Sequence, residues 1–196
     1  MSDARRALLG ALFDYAGQFP PAELSLEDAR AEWERIRASH DAWLVNRFVA
    51  RPGQNVGPPV AVVDGPRETQ DGLVFVEGET KLRCGGARVP SVQEVAEFIR
   101  RCRAQARLFK ATAGLHHALP TGGEHGFLNL LAACVFGDEE RMLATRDISL
   151  DADAFHADGE SADADTCARV RRELFHSIGS CSFAEPVGEL RALGIL

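Results

Sequence analysis

Two short runs of strand character, Lys81-Leu82-Arg83-Cys84 and Leu108-Phe109-Lys110-Ala111-Thr112-Ala113, bracket a helix that opens on a capping box, Ser91-Val92-Gln93-Glu94. Val92, Val95, Ala96, Ile99 and Cys102 follow that box at helical spacing. Two parallel strands need a crossover of about a dozen residues, so strand, helix and strand in this order is the unit of a parallel sheet. The alternation continues with helices over 127–136, 138–146 and 164–176, then a last strand and turn at Ser177-Ile178-Gly179-Ser180-Cys181. Ser182-Phe183-Ala184-Glu185 caps a terminal helix. The expected class is α/β, a mostly parallel sheet built from βα units.

Upstream, residues 4–16 read as helix, broken by Gly17-Gln18-Phe19-Pro20-Pro21. Ser25-Leu26-Glu27-Asp28 opens a second helix through Trp33 and Ile36. Residues 1–40 are thus expected as an N-terminal helical segment, and 41–196 as the βα units of the same single domain. Strands are expected over 42–49, at Val60-Ala61-Val62-Val63 and at Leu73-Val74-Phe75-Val76-Glu77. The Pro- and Gly-rich 51–59 and the stretch 65–72 read as loops, and the aspartate-dense 151–165 as an exposed acidic loop. Five or six strands in 196 residues fall short of eight βα units, so the expected architecture is an incomplete or shortened TIM-barrel-like fold. Missing strands leave a sheet edge to cover, which favours a homodimer.

A net charge of −7 and a pI near 5.4 argue against nucleic acid as a partner. The cluster Arg100, Arg101, Arg103 and Arg107 reads as a solvated helix face. No stretch approaches the roughly 20 apolar residues that span a bilayer. The short run before Asp14 reads as an amphipathic helix rather than a leader. Cys84, Cys102, Cys134, Cys167 and Cys181 are odd in number and without C-x-x-C spacing, so reduced thiols and a cytoplasmic setting are expected. Cys181, beside a helix start, is the one whose thiolate a helix N-terminus would favour.

In parallel α/β folds the functional side chains collect at the C-terminal ends of strands. Here those ends carry Glu77, then Lys81 and Arg83, then Lys110 before Gly114-Leu115-His116-His117, and finally Gly179-Ser180-Cys181-Ser182. Lys81 and Arg83, two apart, share one side of the sheet. Lys110 stands among small and apolar residues and is costly to bury without a partner; Glu77 or a backbone carbonyl is the structural reading of that partner. Lysines buried this way form Schiff bases or act as bases. His117 with His125 and Glu124 has the donor types for zinc or iron, although the spacing follows no established metal motif. The turn at Gly179, Ser180 and Ser182 is a seat for a small anion, or an ordinary Ser-capped helix start. Asp14-Tyr15 up to Pro21 reads either as a helix stop with an aromatic anchor or as part of a pocket mouth.

The phrases Leu12-Phe13-Asp14-Tyr15-Ala16-Gly17, Phe109-Lys110-Ala111-Thr112-Ala113-Gly114-Leu115-His116-His117, Gly126-Phe127-Leu128-Asn129 and Gly179-Ser180-Cys181-Ser182-Phe183 resemble an uncharacterised bacterial family of (β/α)-barrel-like proteins. That family's members are longer in the region matching 50–72. More distantly, the strands carrying Lys81 and Lys110 are similar to the paired lysine strands of class I aldolases of the deoxyribose-phosphate type. The resemblance implies Lys110 as Schiff-base former and Lys81 as the lysine that tunes it. The expectation is a small-molecule lyase or isomerase without a cofactor, acting on a small anionic carbonyl compound. His116 or His117 shuttles the proton, and Arg83, Glu77 and the Gly179, Ser180, Ser182 turn hold the substrate. Two alternatives stand beside it: a metal-dependent hydrolase or lyase using the His/Glu set, and a catalytically inactive shortened barrel serving as a subunit or binding module.

Overall fold

The computed structural model describes residues 3–57, 60–62, 67–70, 73–76 and 79–196, with side-chain surroundings for 3–57 and 80–196. The first helix, α1 (Ala4–Leu9), is capped by Asp3, whose carboxylate accepts from the Arg5 and Arg6 N–H groups. It stops at Gly10; Ala11 turns with φ 49° and gives its N–H to the Trp43 carbonyl. The chain then enters a strand, β1 (Phe13–Tyr15), where a helix to residue 16 was expected. So short an apolar run satisfies either period. Burial on both faces decides, because Phe13, Asp14 and Tyr15 are all enclosed.

Helix α2 (Leu26–Arg37) starts where Ser25 Oγ accepts the Asp28 N–H, and it buries Ala29, Trp33 and Ile36. A single 3₁₀ turn (Ala42–Leu44) precedes β2 (Val45–Ala50), so that strand begins three residues later than its composition suggests. Then come β3 (Val60–Val62), β4 (Arg67–Gln70), β5 (Leu73–Val76) and β6 (Glu79–Arg83). Strand β4 lies in a stretch expected as loop. Helix α3 (Val92–Ala104) carries the full reciprocal capping box of Ser91 and Glu94. After β7 (Phe109–Thr112) come α4 (Phe127–Phe136) and α5 (Glu139–Ala144). Arg100 and Arg103 do not simply face solvent: Arg100 Nε donates to Glu139 at 3.1 Å, and Arg103 donates to the last-turn carbonyls of Ala133 and Cys134, both at 3.1 Å. They fasten α3 to α4 and α5.

The expected acidic loop is a small antiparallel sheet, β8 (Ile148–Leu150), β9 (Ala154–Ala157) and β10 (Glu160–Asp163). Asp151, Asp153 and Asp158 sit at its turns. Asp151 accepts from the Asp153 and Ala154 N–H groups, and Asp158-Gly159, at φ 48° and 84°, makes the two-residue hairpin turn. Phe155 and Ala157 point inward, Phe155 stacking on Phe136 at 5.5 Å. The chain closes with α6 (Ala164–Glu173), β11 (Phe175–Ser180) and α7 (Ala184–Ala192).

The fold is α/β. Its main sheet has the order β3-β2-β1-β11-β7-β6-β5-β4. The pairings from β3 across to β6 are parallel, and β5 and β4 join as an antiparallel meander. The last strand lies beside the first, and neighbours otherwise follow chain order. Among the described residues no pairing joins β3 to β4, so the sheet is not a closed barrel. Its helix-covered face is apolar: Phe13, Tyr15, Phe48, Phe109, Ala111 and Ile178 lie within one cluster of buried side chains. Phe98 of α3 packs edge-on to Phe109 at 5.0 Å, and Phe109 to Phe175 at 5.0 Å.

Candidate active site

Side chains alternate along a strand, so the residues registered beside those phenylalanines face the other way. On that second face Lys81 is the direct partner of Lys110. One step along, Asp14, Gly179, Thr112 and Arg83 form a row across β1, β11, β7 and β6. The sheet therefore has one hydrophobic face and one charged face. Lys110 and Lys81 are 5% and 8% exposed, and they are the only lysines in the chain, whose other twenty fixed positive side chains are arginines. That distribution matters chemically. Arginine stays protonated, whereas lysine is the cation that can become a neutral nucleophile.

Asp14 is the centre of this face. Its Oδ1 accepts from Asn46 Nδ2 at 2.8 Å and Arg47 Nε at 3.2 Å. Its Oδ2 accepts from Arg47 Nη2 at 2.9 Å, Ser177 Oγ at 2.9 Å and Lys110 Nζ. Two irregularities in register make this convergence. Between Phe13↔Val45 and Tyr15↔Phe48, β2 carries one residue more than β1, which brings consecutive residues, Asn46 and Arg47, to one carboxylate. Between Phe175↔Phe109 and Ile178↔Ala111, β11 carries one more than β7, at His176 and Ser177. Ser177 donates to Asp14, and His176 Nδ1 lies 3.0 Å from Ser177 Oγ. Burial raises the Asp14 carboxyl, but the charges of Lys110 and Arg47 and the bonds they donate outweigh it, holding Asp14 at about 2. The partner of Lys110 is thus Asp14; Glu77 lies outside the described residues.

Beyond β6 and β7 the backbones meet closely. A Cβ on Gly85 would stand 2.6 Å from Gly114 Cα, and Gly114 itself turns with φ 66°. The missing side chain of Gly179 likewise leaves Thr112 Oγ1 uncovered, since a Cβ there would lie 2.9 Å away. Arg83 is exposed at the end of the row. Ser180 registers with Tyr15 and so belongs to the opposite face, with its hydroxyl given to the Ser182 carbonyl at 2.5 Å. Ser182 Oγ accepts the Glu185 N–H at 3.4 Å, as expected of a helix start.

The loop after β7 is tied to α7. His116 Nδ1 donates to Glu185 at 2.9 Å, and His117 Nδ1 to Glu189 at 3.2 Å. The residues considered for zinc or iron do not converge. His117 is held by Glu189, His125 Nε2 donates to the Pro90 carbonyl at 2.8 Å, and Glu124 closes a turn with Thr121. Among the described residues no three His, Cys, Asp or Glu side chains gather around a common point. The five cysteines are unpaired and buried. Burial raises the thiol of Cys181 rather than lowering it, and pushes Cys84 up to about 12. No helix among the described residues is long and apolar enough to cross a membrane.

Comparison of the chain with models of known protein families, with curated proteins and with solved structures finds no match. The site therefore rests on its own geometry. Sequence reading places Lys81 and Arg83 on one side of the sheet, as their register has them, but does not assign Lys110 to that face and does not find the partners Asn46, Arg47 and Ser177 that meet at Asp14. One signal was present: a chain with twenty arginines keeps two lysines, both in short runs of strand character.

Proposed function

We propose that the protein is a small-molecule lyase or isomerase of the Schiff-base type, working on a small anionic carbonyl compound at the charged face of the sheet. The observation that carries this reading is the pairing of the only two lysines, buried and in register on adjacent parallel strands. Surface arginines would serve solubility or ion pairing equally well, so lysine at these two positions points to chemistry that arginine cannot do. Lys110 is the Schiff-base former and Lys81, one strand away, shapes the field around it. Attack by the neutral Lys110 amine on the carbonyl carbon forms a carbinolamine, and loss of water leaves the iminium that accepts electrons from a breaking C–C or C–H bond. Arg83 and the open position at Gly179 lie two residues further towards the strand ends, on the same face, where an anionic substituent is held. His116, set by Glu185, serves proton transfer there. The strand order, with the last strand beside the first, supports reading the fold as a shortened (β/α) barrel with its seam between β3 and β4.

Borohydride trapping tests the reading. Incubated with glyoxylate or a pool of small aldehydes and keto acids, the protein gains a reduced adduct by intact mass, mapped to Lys110. Lys110→Met loses it, while Lys81→Met slows it about a hundredfold, the lower end of what proton-transfer and electrostatic partners contribute. Absence of any adduct at Lys110, with the protein folded, overturns the proposal.

A further inference from the structure

The Schiff-base reading leaves one requirement unmet: a buried ammonium must release a proton before it can attack, and take part in proton return afterwards. From the geometry we infer that Lys110, Asp14, Ser177 and His176 form a proton relay joining the buried amine to the half-buried imidazole at the start of β11. This inference rests on the proposed function and adds residues to it. The contacts are continuous. Lys110 Nζ donates to Asp14 Oδ2, Ser177 Oγ lies 2.9 Å from the same oxygen, and His176 Nδ1 lies 3.0 Å from Ser177 Oγ. Three of the four side chains are buried and the fourth is half-buried, so the chain runs from the interior outward.

The step balances without a co-reactant. The Ser177 hydroxyl first turns its proton from Asp14 towards His176; the Lys110 ammonium then passes a proton to Asp14 Oδ2, Asp14 passes it to Ser177 Oγ, and Ser177 releases its own hydroxyl proton to His176 Nδ1. The amine keeps its lone pair, Asp14 and Ser177 return to their starting forms, and the positive charge appears on the imidazole. A serine hydroxyl both donates and accepts, so the same chain runs inward when the iminium is hydrolysed. The register supports the assignment, because an irregularity in β11 is what brings consecutive residues His176 and Ser177 into line with a carboxylate on the neighbouring strand. The charged groups around the chain are Arg47 from β2, Lys81 from β6 and Arg171 from α6, whose guanidinium donates to the His176 carbonyl at 2.8 Å.

The experiment is the rate of reductive trapping of glyoxylate at Lys110, followed by mass across the neutral pH range. The wild type is compared with Ser177→Ala and His176→Gln. The expected result is at least a tenfold loss of trapping rate in both variants, with the His176 inflection gone from the pH profile of His176→Gln. Added imidazole restores the rate of a His176→Gly variant. His176→Gln alters a half-buried position and keeps a hydrogen-bonding amide, so it reports even if Ser177→Ala folds poorly. Equal rates and superimposed profiles in wild type and His176→Gln overturn the relay while leaving the Schiff-base reading intact. No adduct in the wild type overturns both.

Discussion

Asp14 is buried completely and receives five donated hydrogen bonds, two to Oδ1 and three to Oδ2. A carboxylate so placed stabilises the fold only while ionised. Its folded value, about 2, lies below the 3.8 of the free side chain, so its contribution is complete above 3.8 and is lost as pH falls through about 2. Asp14→Asn leaves Lys110 and Arg47 facing each other without their common anion. The expected cost is about 3–5 kcal/mol at neutral pH, the usual range when one partner of a buried pair is removed. Urea unfolding at neutral and acidic pH checks both parts: the variant is weaker at neutral pH, and its stability falls less than the wild type's on acidification. Nothing in the run Leu12-Phe13-Asp14-Tyr15 announces this role. An acid after apolar residues looks like the polar end of a helix until the strands on either side supply its partners. Lys110 was legible because a lysine among Phe109, Ala111 and Ala113 needs an explanation wherever the chain puts it.

At the scale of elements, legibility followed local signals. Both capping patterns start helices where Ser25 and Ser91 place them, and the apolar run 127–136 is a buried helix. Those features depend on residues within one turn of each other. The small sheet of β8, β9 and β10 was missed because its aspartates dominate the composition, although Asp158-Gly159 is a hairpin signal and Phe155 an inward anchor. The two register irregularities are invisible locally, since an added residue in a strand shows only against the partner strand. The junction of β6 and β7 is a second feature set by close approach. Gly114→Ala forces a Cβ to within 2.8 Å of the Cys84 carbonyl oxygen at a positive φ. A loss of more than about 1 kcal/mol is expected, because strain at φ > 0 adds to the steric contact. A thermal scan of Gly114→Ala reads it; an unchanged melting temperature means the strand ends part without cost.

The whole molecule brings Asp14, Lys110 and Ser177 together from positions 96 and 163 residues away from Asp14 along the chain. The class α/β was legible because alternation of strand and helix is written along the sequence. The neighbour order of the sheet was not, since β1 was hidden in a segment read as helical and it is this strand that sits between β2 and the chain's last strand. Sites assembled from such distant parts exist only when the sheet is complete. That assembly leaves the exterior free of lysine side chains, and a peptidase that cuts only after lysine makes the result measurable. Its two target bonds follow Lys81 and Lys110, both inside paired strands, so cleavage has to wait for the sheet to open. Digestion without denaturant is expected to be slow, and to quicken in step with the unfolded fraction measured by urea. Rapid clipping after Lys81 alone would mean that β6 detaches from β7 while the rest stays folded. The lysine-poor exterior thus turns an ordinary digestion enzyme into a clock for the opening of this sheet.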